Sequence, residues 1–190
     1  MRKGRNARQP RKMKQIYLVF CEGESEEAYI DFLKQNERRL PIKLIRHKIK
    51  LDADKIRRQI QAEKIGDGDK IKSFFMYDLD VTGTAEKIKA CIGSIKNSYS
   101  IASNPSVELW FLLHVQEQKA EISTDNCGEK LKKSSPDWGN YKKGALSERQ
   151  KQHLWDNRGL ASDRARQLPE WENPSSSVYR LIEALEKAII

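Results

Sequence analysis

The chain has 190 residues, 33% of them charged and 38% hydrophobic, with a formal net charge of +9. That is long enough for one sizeable core with a small appendage, and no apolar run approaches the ~20 residues that a membrane-spanning helix needs. The basic start is not followed by an apolar segment and cleavage site, so no secretory signal is expected; the three cysteines (Cys21, Cys91, Cys127) form no Cys-x-x-Cys pair, which argues against a disulfide framework or zinc ribbon and for a reducing cytoplasm.

The charge is unevenly placed. Arg2, Lys3, Arg5, Arg8, Arg11, Lys12 and Lys14 crowd the first fifteen positions with no acid among them. The remainder, with 29 basic against 27 acidic residues, is close to neutral. Residues 1–14 are expected to be a disordered basic arm, with Arg11 and Lys12 among its phosphate contacts; a solubilising tail is the plainer alternative. Residues 15–115 read as an α/β core and 116–190 as a helical and loop part packed on it.

Ile16–Cys21 is an apolar run of strand length. It leads into Glu22-Gly23-Glu24-Ser25-Glu26-Glu27, an acidic turn in which Gly23 permits a tight bend and Ser25 suits a helix cap. Ala28, Tyr29, Phe32 and Leu33 then follow at helical spacing. After Pro41, residues 42–49 alternate as a half-exposed strand does. Residues 52–65 read as a helix with Ile56 and Ile60 inward, and Gly66-Asp67-Gly68-Asp69 as a turn.

Ile71–Tyr77 is the expected central strand. Phe74-Phe75-Met76-Tyr77 runs directly into Asp78-Leu79-Asp80. Alternation places Asp78 and Asp80 about 7 Å apart on one side of the strand's C-terminal end, where open α/β sheets bind ligands. Thr82-Gly83-Thr84 would cap a helix bearing Ala85, Ile88, Cys91, Ile92 and Ile95, and residues 99–103 form a short strand. Asn104-Pro105 reads as a cap and first-turn proline. The following segment, 107–115, is apolar on nearly all sides except Glu108 and His114, as in a buried helix. A carboxylate there costs several kcal/mol unless paired or at a metal.

Residues 116–144 are irregular, and 132–144 mix basic and aromatic residues in a loop. Lys132, Lys133, Lys142 and Lys143 would meet phosphates there, and Trp138 or Tyr141 would stack on a base; an ordinary solvated turn is the alternative. Residues 146–168 form one or two polar helices. Asn173-Pro174 repeats the cap-and-proline pattern before a C-terminal helix carrying Val178, Leu181, Ile182, Leu185 and Ile189. Strands alternating with helices imply a mostly parallel sheet flanked by helices.

If the first and central strands are parallel neighbours, Glu22, Asp78 and Asp80 converge. Such a sparse oxygen set suits Mg²⁺ or Mn²⁺. Glu22, Asp78 and Asp80 are the candidate metal ligands. Glu22 is also a candidate base, and Glu26, one helical turn later, could serve a second metal or simply the helix dipole. No phosphate-binding loop or dinucleotide fingerprint is present. The scattered histidines lack metal-ligand spacing, though His114 is retained as a possible companion of Glu108.

Four segments together resemble the RloB-like proteins, small bacterial proteins encoded near restriction or abortive-infection systems. They are Cys21-Glu22-Gly23-x-Ser25-Glu26, Asp78-x-Asp80, the stretch from Ser103-Asn104-Pro105-Ser106-x-Glu108 to His114, and Asn173-Pro174-Ser175-Ser176-x-Val178-Tyr179. They run in order through about residues 16 to 190. That family is similar to the Toprim fold of topoisomerases, primases and overcoming-lysogenization-defect nucleases. The resemblance implies a Toprim-like α/β fold with a helical C-terminal extension. It also implies Mg²⁺ held by Glu22, Asp78 and Asp80, with Glu108 at the site. The function expected is a cytoplasmic, metal-dependent nuclease acting on DNA or RNA in anti-phage defence. The alternative from a different class is a non-catalytic nucleic-acid-binding or regulatory subunit beside an ATPase partner; a phosphatase acting on small phosphates is a third.

Overall fold

Two continuous apolar strands form the middle of the sheet because both of their faces are covered. They are β1 (Ile16–Cys21) and β3 (Ile71–Asp78), which pair in parallel from Ile16↔Ile71 to Cys21↔Met76. The computed structural model describes residues 15–36, 42–46, 52–63, 71–80 and 85–189. Within these, β2 (Ile42–Arg46) lies outside β1, and β4 (Ser98–Asn104) lies beside β3. All four strands run parallel; β5 (Ser175–Ser176) adds an antiparallel edge, giving the order β2-β1-β3-β4-β5. This five-stranded, mostly parallel sheet with eight helices among the described residues is the Toprim-like α/β architecture expected.

Alternation along the strands divides the core into two layers. Leu18, Phe20, Phe75 and Tyr77 pack with Ile56 of α2 (Ala53–Ala62) and with Ile88 and Ile92 of α3 (Ala85–Gly93). Tyr17, Val19, Cys21, Phe74 and Met76 point into the opposite, larger layer. There they meet α1 (Glu24–Asn36), α4 (Val107–Val115) and α8 (Val178–Ile189), with α5 (Thr124–Ser134), α6 (Glu148–Asp156) and α7 (Arg158–Arg166) packed beyond. Every α4 residue from Val107 to His114 is buried, so α4 is the central helix of that layer.

Several local expectations change. Asp52 caps α2 by accepting from the N–H groups of Asp54 and Lys55, so the helix starts as read. The proposed Thr82-Gly83-Thr84 cap, residues 47–49 of the alternating strand and residues 64–65 of the α2 region lie outside the described residues. Asn104-Pro105 and Asn173-Pro174 are both cis and neither opens a helix directly. Ser106 is the N-cap of α4, while Pro174 leads into β5. Helix α5 occupies part of the stretch read as irregular, and its buried residues are only Cys127 and Leu131, with Gly128 between them. Lys132 and Lys133 therefore sit in the last turn of a helix, not in a loop.

The stacking role read for Trp138 is also corrected. Its side chain is completely buried, parallel to Phe111 at 6.0 Å and edge-on to Tyr141 at 5.7 Å. It is a core residue because the turn after α5 folds inward over α4. Trp138→Ala should lower the unfolding free energy by about 3–5 kcal/mol, the cost of emptying a large aromatic site. Denaturant midpoints measure this, and a loss within about 0.5 kcal/mol would mark Trp138 as a surface side chain instead.

Candidate functional site

The parallel register brings the C-terminal ends of β1, β3 and β4 side by side. The Glu22 N–H continues the ladder by donating to the Met76 carbonyl at 3.2 Å, and Leu79 N–H donates to Ser103 at 2.9 Å. Glu22 therefore leaves β1 next to the end of β3, from which Asp78 and Asp80 emerge. The same end receives α1 with Glu26 and the start of α4 with Glu108.

Asp78 is tied to α4 directly, since its Oδ1 accepts from the Val107 N–H at 2.9 Å. Burial, then the charges of Glu26, Glu108 and Asp80, push its carboxyl up to about 9, although the Val107 bond acts the other way. Asp80 is exposed, and its Oδ2 accepts from Thr124 Oγ1 of α5 at 3.3 Å. Glu26 is buried on the first turns of α1. Burial, then Glu108 and Glu22, push it up to about 7; its own backbone N–H and the Lys143 ammonium pull it down. Gly23 makes room for it: a Cβ on Gly23 would stand 2.7 Å from Glu26 Oε2. Glu22 itself is exposed at the rim.

Glu108 is the buried centre of a hydroxyl cluster. Its Oε1 accepts from Ser25 Oγ at 3.0 Å and Tyr141 Oη at 2.8 Å, and its Oε2 accepts from Ser106 Oγ at 2.8 Å. Three neutral donors thus satisfy a carboxylate inside an apolar helix. Ser25 lies within α1 rather than capping it, and its Oγ also receives the Gly144 N–H at 3.4 Å. Gly144 has φ +74, and a Cβ there would sit 2.9 Å from Glu24 Cβ. The turn bearing Lys142 and Lys143 is consequently clamped against the acidic turn, with both lysines exposed.

The candidate residues separate clearly. Glu22, Glu26, Asp78, Asp80 and Glu108 belong to one electrostatically coupled group. Lys143 acts on Glu26 from its edge. Lys132 and Lys133 are exposed, and Lys133 pairs with Glu129 at 3.4 Å. Tyr141 is buried and bonded to Glu108, so it does not present its ring to a base; burial and the Glu108 charge raise its hydroxyl strongly. His114 does not join the group. It is buried, donates through Nδ1 to the Trp110 carbonyl at 2.8 Å, and burial holds it down to about 3. Arg11 and Lys12 lie outside the described residues. Ser25, Ser106 and Tyr141 were not recognisable as partners of Glu108, because only the packing of α1 and the turn after α5 on α4 brings them together.

The donor chemistry fits a hard divalent ion: oxygen only, with two carboxyls that burial first, and neighbouring carboxylates second, hold well above their ordinary range. Among the described residues no three His, Cys, Asp or Glu side chains are gathered closely enough to clasp an ion. Mg²⁺ is compatible with that openness, because it commonly takes one or two protein carboxylates and keeps several waters.

Asp78 and Glu26 bind protons more tightly in the folded chain than in the unfolded one, where carboxyls titrate near about 4. Their stabilising contribution is complete below that value and is lost as pH rises through about 7 and then about 9. In buffer containing EDTA, the melting temperature should fall by at least about 2–4 °C between pH 5 and pH 9, and Asp78→Asn should flatten the fall. Thermal melts across this range measure it, and an identical pH dependence for native and Asp78→Asn protein would contradict the assignment.

No helix among the described residues is long and apolar enough to cross a membrane. No curated protein and no solved structure matches the chain. The family model described as RloB-like protein matches residues 17–185, which takes in β1 from its second residue, the acidic turn, both aspartates, α4 and most of α8. The chain belongs to the RloB-like protein family.

Proposed function

We propose that the protein is a Mg²⁺- or Mn²⁺-dependent nuclease, hydrolysing phosphodiester bonds of DNA or RNA in bacterial anti-phage defence. The observation that carries this reading is the gathering of Glu22, Glu26, Asp78, Asp80 and Glu108 at one end of a parallel sheet, with two of them held far above the ordinary carboxylate range. Glu22, Asp78 and Asp80 would hold the ion. A divalent ion there supplies Lewis-acid stabilisation of charge developing on the phosphodiester.

The side chains divide the remaining work. Glu26, up at about 7, is poised to accept or return a proton near neutral pH. Glu108 is a positioning residue, because both of its oxygens are committed to hydroxyls that fix α1 and the Lys142–Lys143 turn. Lys143 would meet a backbone phosphate at the rim, with Lys142, Lys132, Lys133, Arg11 and Lys12 extending the contact. With Trp138 and Tyr141 in the core, the rim among the described residues offers lysines rather than base-reading aromatics, which favours phosphate-led and sequence-tolerant binding.

A second reading draws on the spacing of the carboxylates, which do not form a closed ligand cage among the described residues. In it the chain is a non-catalytic nucleic-acid-binding or regulatory subunit beside an ATPase partner. One assay separates the two. Native protein should cleave DNA or RNA with Mg²⁺ or Mn²⁺, Asp78→Ala/Asp80→Ala should reduce cleavage to background, and Glu26→Gln should slow it about 100-fold or more. Equal cleavage by native protein and the double variant would refute the nuclease reading. Binding that persists in EDTA without turnover under either metal would favour the regulatory one.

A further inference from the structure

A cavity lies at the end of the strands opposite the carboxylates. It has a volume of about 520 Å³ and opens between the sheet and the C-terminal half of α8. Its floor is an aromatic ladder across three strands. Tyr17 of β1 stacks on Phe74 of β3 at 5.8 Å, and Phe74 stacks on Tyr99 of β4 at 5.2 Å. Tyr17 and Phe74 are buried, whereas Tyr99 is 44% exposed, one of two large hydrophobic residues exposed to that extent among the described residues. The Tyr17 hydroxyl donates to the Ala184 carbonyl, pinning α8 over the ladder.

The rim is cationic. Lys72, Arg180 and Lys187 line the cavity together with a single acid, Glu183. Glu183 already pairs with Arg166 at 2.6 Å, and Arg180 with Glu170, both partners lying outside the cavity lining. Lys72 and Lys187 have no ion-pair partner among the described residues. The cavity therefore combines one accessible ring face with two ammonium groups that no described carboxylate pairs with. Its volume lies within the range of small-molecule sites, about 300–1,000 Å³.

We propose that this cavity binds a nucleotide, with the base stacked on Tyr99 and the phosphate held by Lys72 and Lys187. A planar base suits an exposed tyrosine face, and an anion suits the two lysines. Asp78 lies six positions after Lys72 along β3, about 20 Å on an extended strand. The ligand is thus distinct from a nucleic acid bound at the carboxylates, and this site stands whether or not the carboxylates cleave anything. Its place under α8, which also packs on α7 and on β4, would make the nucleotide an effector rather than a substrate.

Calorimetric titration of AMP into the full chain in EDTA tests the proposal. Saturable one-to-one binding is expected. Tyr99→Ala should weaken it about tenfold, the size of one base-on-ring stack. Lys187→Glu should weaken it at least as much, adenosine should bind about tenfold more weakly than AMP, and Asp78→Asn should bind AMP as the native chain does. Both cavity substitutions lie on exposed positions, and circular dichroism checks that the variants remain folded. Absence of saturable AMP binding overturns the proposal, as does native-like binding by either cavity variant or by adenosine. Loss of binding in Asp78→Asn also overturns it, because it would place AMP at the carboxylate end.

Discussion

A buried carboxylate in an otherwise apolar helix governs the arrangement of this protein. Glu108 must be neutralised or hydrogen-bonded, because leaving it bare beneath the sheet would cost several kcal/mol. Ser25, Ser106 and Tyr141 meet that demand with three hydroxyls. Each comes from a different place: α1, the α4 cap and the turn after α5. One side chain thereby joins the acidic turn after β1 to the C-terminal part of the chain. The same helix start donates the Val107 N–H to Asp78, so the position of the end of β3 depends on it too.

The consequence is a concentration of negative charge that the folded chain itself raises. Packing brings Glu26 and Asp78 into partial burial near Glu108, Glu22 and Asp80, and their protons are held correspondingly tightly. Strongly shifted carboxyls gathered at the end of a sheet mark a candidate functional site. Lys143 offsets part of it, but a single exposed ammonium is weak compensation for several carboxylates. In the proposed reading, a divalent ion would offset what remains, since its charge and oxygen preference match the carboxylates.

Much of this was legible in the chain. Continuous apolar runs identified β1 and β3, and the Asp-x-Asp directly after Phe74–Tyr77 marked the end of the sheet where the carboxylates gather. Glu108 stood out because a charge inside an apolar helix requires an explanation. The less legible parts are those settled by tertiary packing. Helix α5 has two buried apolar residues around Gly128, too thin a stripe to distinguish from a loop. Trp138 and Tyr141 sit among lysines in sequence, which suggested a surface for nucleic acid, yet the turn folds inward and leaves only the lysines in solvent. Ser25 resembled a cap because caps and hydroxyl donors share the same residue type. The aromatic ladder of Tyr17, Phe74 and Tyr99 could not be read at all, since it needs the register of three strands.

The most direct measurement is a crystal soaked in Mn²⁺ and read for anomalous scattering. A peak is expected, bounded by carboxylates from the ends of β1 and β3, among Glu22, Asp78 and Asp80, and it should disappear in the Asp78→Ala/Asp80→Ala protein. A native crystal soaked in excess Mn²⁺ with no peak at that end of the sheet would contradict the proposal that these side chains converge on a cation.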